Sequence, residues 1–395
     1  MTTQRIKELS SQYVQEMVRL RHEIHMHPEL GYEEVNTSRI IRETLATLGI
    51  EYSYPKAGTG VVALIRGRGP GRTVLLRADM DALPIQEDVE IEYRSRVGNR
   101  MHACGHDGHV AGLLGAAMIL NQMRDHFDGN VKLVFQPAEE VTNGGAARMI
   151  AEGVLEDPKV DAAFGCHLWG EVPEGTVHLC PGPIMAASLD FKFTILGRGG
   201  HGAMPHLAVD PIMMGAQAIN FMQSIISRRT NPLETAVLSI GYIRGGEAEN
   251  IIPDQMEAKG MIRTFSEELR EAIKADIENI LRGVTESQKA SYLFECKESS
   301  PSVLNDPGLT RLAAKAFAKV VGTANVNAAC KPTMASEDFA YYSHEVPSVF
   351  AFVGIAKDPA EPVLHHHPKF QWDDRNIRVL AEGLVQVALD FINGQ

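Results

Sequence analysis

The chain has 395 residues, 44% hydrophobic and 22% charged, a globular composition too apolar for a disordered chain or a fibre. The formal net charge of −12 is spread without long single-sign runs, so no basic footprint exists for nucleic acid or an anionic membrane surface, and a small-molecule substrate is expected. No segment approaches the roughly 18 apolar residues of a spanning helix, and the opening MTTQRIKELSSQYVQEMVRL has no apolar signal core, so a soluble cytoplasmic protein is expected.

SRIIRETLATLG places Ile40, Ile41, Leu45 and Leu48 on one helical face and stops at Gly49. VVALI (61–65), TVLLRAD (73–79) and VKLVFQPAEE (131–140) read as strands buried on both faces, the last two ending in carboxylates. HVAGLLGAAMILNQM (109–123) reads as a packed helix between them, which gives an α/β sheet with its site beyond the strand ends. From about residue 187 the order becomes β-α-β-β-α-β, the split-βαβ pattern. Its strands are LDFKFTIL, TAVLSIGYI, QMEAKGMIRTF and SYLFEC. Its second helix carries Leu269, Ile273, Ile277, Ile280, Leu281 and Val284 on one face, with Thr264 and Glu267 as a capping box. After it come a helix (LTRLAAKAFAKVVG), a buried strand (PSVFAFVG) and a closing helix ending at Asn393 and Gly394. The α/β domain thus spans 1–186 and 298–395, interrupted by an inserted domain at 187–297.

The densest chemistry lies in MHACGHDGH, where Cys104 and His106 stand on a turn just before a helix beside His102, Asp107 and His109. Cys with His is a zinc-type donor set. Further donors fall at strand ends: Glu139 and Glu140, then His167 in CHLWG, then His365, His366 and His367. Two adjacent glutamates fit separate tasks, Glu140 as a metal ligand and Glu139 as the acceptor of a proton from water. Asp79 and Asp81 of RADMDALP add a carboxylate pair that can orient a ligating histidine. Two other patterns fail. Gly197-x-Gly199-x-x-Gly202 runs straight into Pro205 and His206 and has no acidic residue closing a second strand, so it is no dinucleotide fingerprint. His22, Glu23, His25 and His27 give His-Glu-x-His rather than His-Glu-x-x-His, so a structural role near the end of the first helix is expected. The five cysteines, odd in number and scattered, give no disulfide framework.

In order, RADMDALP, MHACGHDGH, FQPAEE, CHLWG, GGHGAMPH and HHHPKF resemble the dinuclear metal amidohydrolases that include hippurate hydrolase, N-acyl-amino-acid deacetylases and auxin-conjugate hydrolases, relatives of aminoacylase and glutamate carboxypeptidase. The resemblance implies a zinc-peptidase-like α/β catalytic domain with an inserted ferredoxin-like lid or dimerisation domain, and a homodimer or larger homo-oligomer. It implies that Cys104 bridges two divalent metal ions, with Glu140 and His366 completing one site and His106 and His167 the other. Glu139 becomes the general base, and Asp81 an orienting acid counted with the catalytic residues. Where the broader family has His-x-Asp, this chain has Asp79-Met80-Asp81; the resemblance gives His106 the missing ligand's place and Asp79 no defined task. His365 is the alternative to His366. His201 is expected to polarise the scissile carbonyl, and Asn250 and Arg263 to contact substrate, the guanidinium suiting a free carboxylate. The implied reaction is hydrolysis of an N-acyl amino acid to a carboxylic acid and an amino acid, with zinc or manganese, or else nickel or cobalt. The rivals are a dipeptidase or carboxypeptidase of the same fold, and a non-catalytic metal-binding protein.

Overall fold

The computed structural model describes residues 2–142, 144–358 and 360–394, with only the backbone at 298 and 299. Contacts divide the chain into two compact units: Met1–Ile184 with Val303–Pro332 and Asp338–Gln395, and Met185–Ser302 with Thr333–Glu337. The second boundary falls later than the expected 297 because the last strand of the insertion, Ser291–Ser300, runs on to Ser300.

The first unit is built on a mixed sheet of eight strands. Their order is Glu51–Lys56, Gly60–Arg66, Asn130–Gln136, Thr73–Asp79, Ala162–Pro173, Ser348–Ala356, Val177–His178 and Val326–Asn327. The four central strands from Asn130–Gln136 to Ser348–Ala356 are mutually parallel. Thr73–Asp79 and Ser348–Ala356 are buried along their whole length, which is why both read as continuous apolar runs. The strand Glu51–Lys56 escaped the sequence reading because it lies at the sheet edge, is almost wholly exposed and contains Pro55, so it carries no burial pattern.

The helices Thr2–Met26, His106–Gln122 and Asn376–Ile392 pack against one another. His106–Gln122 is buried on every side from His106 to Leu120, so its sequence is apolar all round rather than amphipathic. Close approach depends on missing side chains: a Cβ on Gly108 would stand 2.3 Å from the Trp372 ring, and one on Gly115 would stand 2.2 Å from Met17 Sδ.

Four expectations about local structure need correction. The strand preceding the two glutamates ends at Gln136, and Pro137, which lacks an N–H for the ladder, sends Glu139 and Glu140 into a loop. His167 sits inside the strand Ala162–Pro173 rather than at its end, and His106 is the first residue of its helix rather than part of the preceding turn. The helix Glu267–Glu286 is capped by Ser266, whose hydroxyl accepts from Leu269 N–H, and Thr264 Oγ1 donates to Ser266 O.

The second unit follows β-α-β-β-α-β order with an antiparallel sheet Ala236–Gly245, Gln255–Thr264, Ala187–Leu196, Ser291–Ser300. Leu189, Phe191, Phe193 and Ile195, alternating along the first strand, form its core with Met214, Ala218 and Met222 of one helix and Ile273, Ile277 and Leu281 of the other. His201 lies on a separate two-stranded ribbon, Gly200–His201 with Ile251–Ile252.

Of the histidines near the end of the first helix, His25 is the buried one. Arg21 and His25 are buried under Asp107, the second residue of the helix His106–Gln122. His25 Nδ1 bonds Asp107 at 2.9 Å and Nε2 bonds Glu87 at 3.2 Å, while Arg21 stacks 3.6 Å over the Trp372 ring. Burial pulls the His25 imidazolium down, but Asp107 and Glu87 overcome it and lift the pKa to about 9 from an ordinary 6.5. A pKa raised on folding gives stability that is complete below the unfolded value and lost as pH climbs through the folded one. The melting-temperature advantage of the wild type over His25→Gln is therefore expected to be largest below pH 6.5 and to shrink towards pH 9. A gap that stays constant over that range in scanning calorimetry would refute the assignment.

Candidate metal centre

Beyond the carboxyl ends of the parallel strands, donor atoms converge from four parts of the first unit. Among the described residues several groups have ligand atoms all within 4.8 Å of one another, one of them His106 with Glu139 and Glu140; two others are Cys104 with His106 and His167, and Cys104 with Glu140 and His366. Cys104 is common to both. Its Sγ lies 3.4 Å from His167 Nε2, and Glu140 Oε1 lies 3.2 Å from His366 Nε2 and 3.8 Å from His106 Nε2.

Each donor is held by its other end. His106 Nδ1 donates to Asp81 O at 2.9 Å, and His167 Nδ1 to Leu168 O at 2.6 Å, which turns both Nε2 atoms inward. His366 adopts left-handed backbone geometry (φ 56°), and its N–H donates to Ala103 O at 2.9 Å. His365 faces Cys104 at 3.8 Å through Nδ1, but its Nε2 already accepts the Gly170 N–H at 3.0 Å, and it falls outside both groups.

The two glutamates are steered by Asp81. Its carboxylate accepts the Glu139 N–H at 3.0 Å through one oxygen and the Glu140 N–H at 2.9 Å through the other. Ala138 just before them is left-handed (φ 57°), a conformation costing an alanine roughly 1–3 kcal/mol. Its N–H is caught by the buried Glu34 at 2.8 Å. The chain is thereby bent so that Glu140 faces the histidines while Glu139 Oε1 accepts the Asp338 N–H at 3.4 Å.

The electrostatics favour cations. Burial, then the charges of Glu140, Glu139 and Asp79, push the Cys104 thiol well up, so a thiolate there needs positive charge beside it. Burial together with His109 and His365 holds His167 neutral, with a lone pair to give. His106 Nε2 and Glu140 Oε1 are buried without a hydrogen-bond partner, as atoms reserved for a metal ion would be. The donor set fits a pair of divalent ions with Cys104 between them.

A further group, Asp79, His106 and His109, also has its atoms within 4.8 Å. Here the lone pairs are spent: His109 Nδ1 bonds Asp79 Oδ1 at 2.5 Å, Arg77 NH1 donates to Asp79 Oδ2 at 2.6 Å, and His109 Nε2 accepts the Leu168 N–H at 2.9 Å. The wholly buried Arg77 also binds Gln136 and Asp338. Sequence reasoning passed over Glu34, Arg77 and Asp338; the one visible signal was an arginine inside the otherwise apolar TVLLRAD.

The remaining expected site residues belong to the second unit. His201 is exposed, pairs across the ribbon with Ile251, and accepts the Ala203 N–H on Nδ1 at 3.1 Å. Asn250 is exposed beside it, its carbonyl accepting from Gly202 N–H at 2.8 Å. Arg263 is half-buried in the four-stranded sheet opposite Val237 and Ser188, with NH1 buried and unpartnered, and burial lowers its pKa.

Known proteins agree with this architecture. N-acyl-L-amino acid amidohydrolase of Geobacillus stearothermophilus is 43% identical over 306 residues, 77% of this chain and 82% of that protein. Thermostable carboxypeptidase 1 of Saccharolobus solfataricus is 36% identical over 381 residues, 95% of each. A solved Bacillus subtilis structure, described as a dinuclear metal binding peptidase from the M20 family, matches with TM-score 0.84 and 34% identity over 97% of this chain and 99% of that one. Residues 75–390 match the model of peptidase family M20/M25/M40, and with four-fifths of its length so matched, the chain belongs to that family.

Proposed function

We propose that this enzyme hydrolyses the amide bond of N-acyl amino acids, with Cys104, His106 and His167 holding one divalent ion and Cys104, Glu140 and His366 the other. The observation that carries the reading is the pair of ligand groups sharing Cys104, with Glu139 a member of neither and its backbone N–H held beside them by Asp81. When bound, the ions polarise the scissile carbonyl and acidify the attacking water. Glu139 takes the proton from that water and delivers it to the leaving nitrogen, while Asp81 acts by position, both its oxygens being spent on the loop amides. His201 stabilises the developing oxyanion, Asn250 contacts substrate, and the unpartnered NH1 of Arg263 meets the free carboxylate.

Cysteine and histidine donors suit zinc, with manganese, nickel and cobalt as substitutes. The second unit serves as a lid or as the contact of a homodimer. Its edge strand leaves Tyr242 and Ile243 exposed, and its helix Pro211–Ser224 exposes Met213 and Phe221. Cysteines odd in number and scattered along the chain, as these five are, suit the reducing cytoplasm. The carboxypeptidase-like relative keeps peptide hydrolysis as a second reading. A panel of N-acetyl, N-benzoyl and dipeptide substrates, each with several added metals, separates the two. A non-catalytic metal-binding role leaves Glu139 without a purpose.

Under saturating metal the protein should bind two ions about 3.5–4 Å apart, and Cys104→Ser should weaken both positions. A single ion per chain, by plasma emission spectroscopy, would end the dinuclear reading. Glu139→Gln should keep both ions and lose roughly 10²–10⁴-fold in turnover; loss of an ion instead would exchange the roles of Glu139 and Glu140. His201→Ala should lower kcat at unchanged metal content, whereas Arg263→Ala should raise KM only for substrates with a free carboxylate. Equal effects on carboxylate and amide substrates would remove Arg263 from recognition.

A further inference from the structure

Asp79 is the residue for which the family resemblance offers no task, and the structure surrounds it with donors. The strand Thr73–Asp79 pairs with Ala162–Pro173 only as far as Arg77 opposite Gly165. Beyond that point the edge of the longer strand facing it has lost its partner, just where His167 must be aimed. On the other edge it still pairs with Ser348–Ala356, Leu168 standing opposite Val353. The Leu168 N–H would be a buried orphan without His109, whose Nε2 accepts it at 2.9 Å. An imidazole can accept there only if its proton sits on Nδ1, and Asp79 Oδ1 at 2.5 Å takes that proton's hydrogen bond. Arg77, with NH1 2.6 Å from Asp79 Oδ2, holds the carboxylate in turn. The backbone of Leu168 is thus held on both sides of its Cα, its N–H by His109 and its C=O by His167 Nδ1 at 2.6 Å, and this leaves His167 Nε2 directed at Cys104.

We infer that Asp79 and His109 are positioning residues for His167: Asp79 fixes the Nδ1–H form of His109, which completes the sheet at Leu168 and aims the ligand. The inference rests on the reading of Cys104, His106 and His167 as one ligand set. It is opposed to the alternative in which Asp79, His106 and His109 themselves take an ion. That alternative would require breaking three hydrogen bonds and placing a dication beside the buried Arg77 guanidinium.

The test uses the full chain with ¹⁵N-labelled histidine and ¹¹³Cd²⁺ as the probe. In the metal-free protein the His109 ring should show the Nδ1–H tautomer with a strongly downfield proton, and the Leu168 amide should exchange slowly. On loading, ¹¹³Cd coupling should reach His106 and His167 but not His109. His109→Ala and Asp79→Ala should weaken one of the two cadmium sites by about ten- to a hundredfold and leave the other. His109→Gln, whose side-chain oxygen can accept from Leu168 N–H, should restore most of that affinity, which a merely space-filling role would not predict. Cadmium coupling to His109, or an Nε2–H tautomer in the metal-free protein, would overturn the positioning role. Absence of coupling at His106 and His167 with the tautomer intact would instead overturn the ligand reading.

Discussion

Carboxylates crowded into a water-poor space repel one another, and Asp79, Asp81, Glu139, Glu140 and Asp338 all gather where the central strands end. Such a cluster persists only if each member finds donors. Arg77 supplies the central ones. Completely buried, it binds Asp79 and Asp338 with separate nitrogens and Gln136 with its third. Asp338 also accepts from Gln136 Nε2 and from Ala146 N–H. Asp81 is satisfied by two backbone amides, and Asp107, one helical residue from His106, by Arg21 and His25 through Oδ2, its Oδ1 being buried without a partner. Glu140 Oε1 is buried facing the His366 and His106 rings.

This arrangement explains why a loop can carry the chemistry. Loops usually give up precision for freedom, yet Glu139 and Glu140 are pinned at their amides by Asp81, and Ala138 before them is pinned by Glu34. The left-handed turn at Ala138 is the local strain that this binding sustains. Without it, continuing the strand would send the two glutamates to opposite faces. The scaffold beneath is equally constrained: the helix bearing His106 is buried on all sides and admits its neighbours only over glycines.

The second unit is of a different kind. It has its own core, its own antiparallel sheet and its own capped helices, and its expected functional residues are exposed or half-exposed rather than embedded.

Much of this was legible in the chain. Periodicity alone separated the parallel sheet from the split-βαβ insertion, because strands buried on both faces read as unbroken apolar runs while half-exposed ones alternate. Residue type alone singled out Cys104, His106, Glu139, Glu140, His167 and the His365–His367 run, because soft and borderline metals demand those donors. Tertiary structure decided which lone pairs remain free. Asp79 and His109 carry as much donor chemistry as His106, but Arg77 and the Leu168 amide consume it, and His365 is spent on Gly170 while His366 is not. Those partners lie up to 195 residues away in sequence. A hydrogen bond between distant segments leaves no periodic trace in the chain, so a residue's chemistry can be read from its type while its availability is fixed only by the fold.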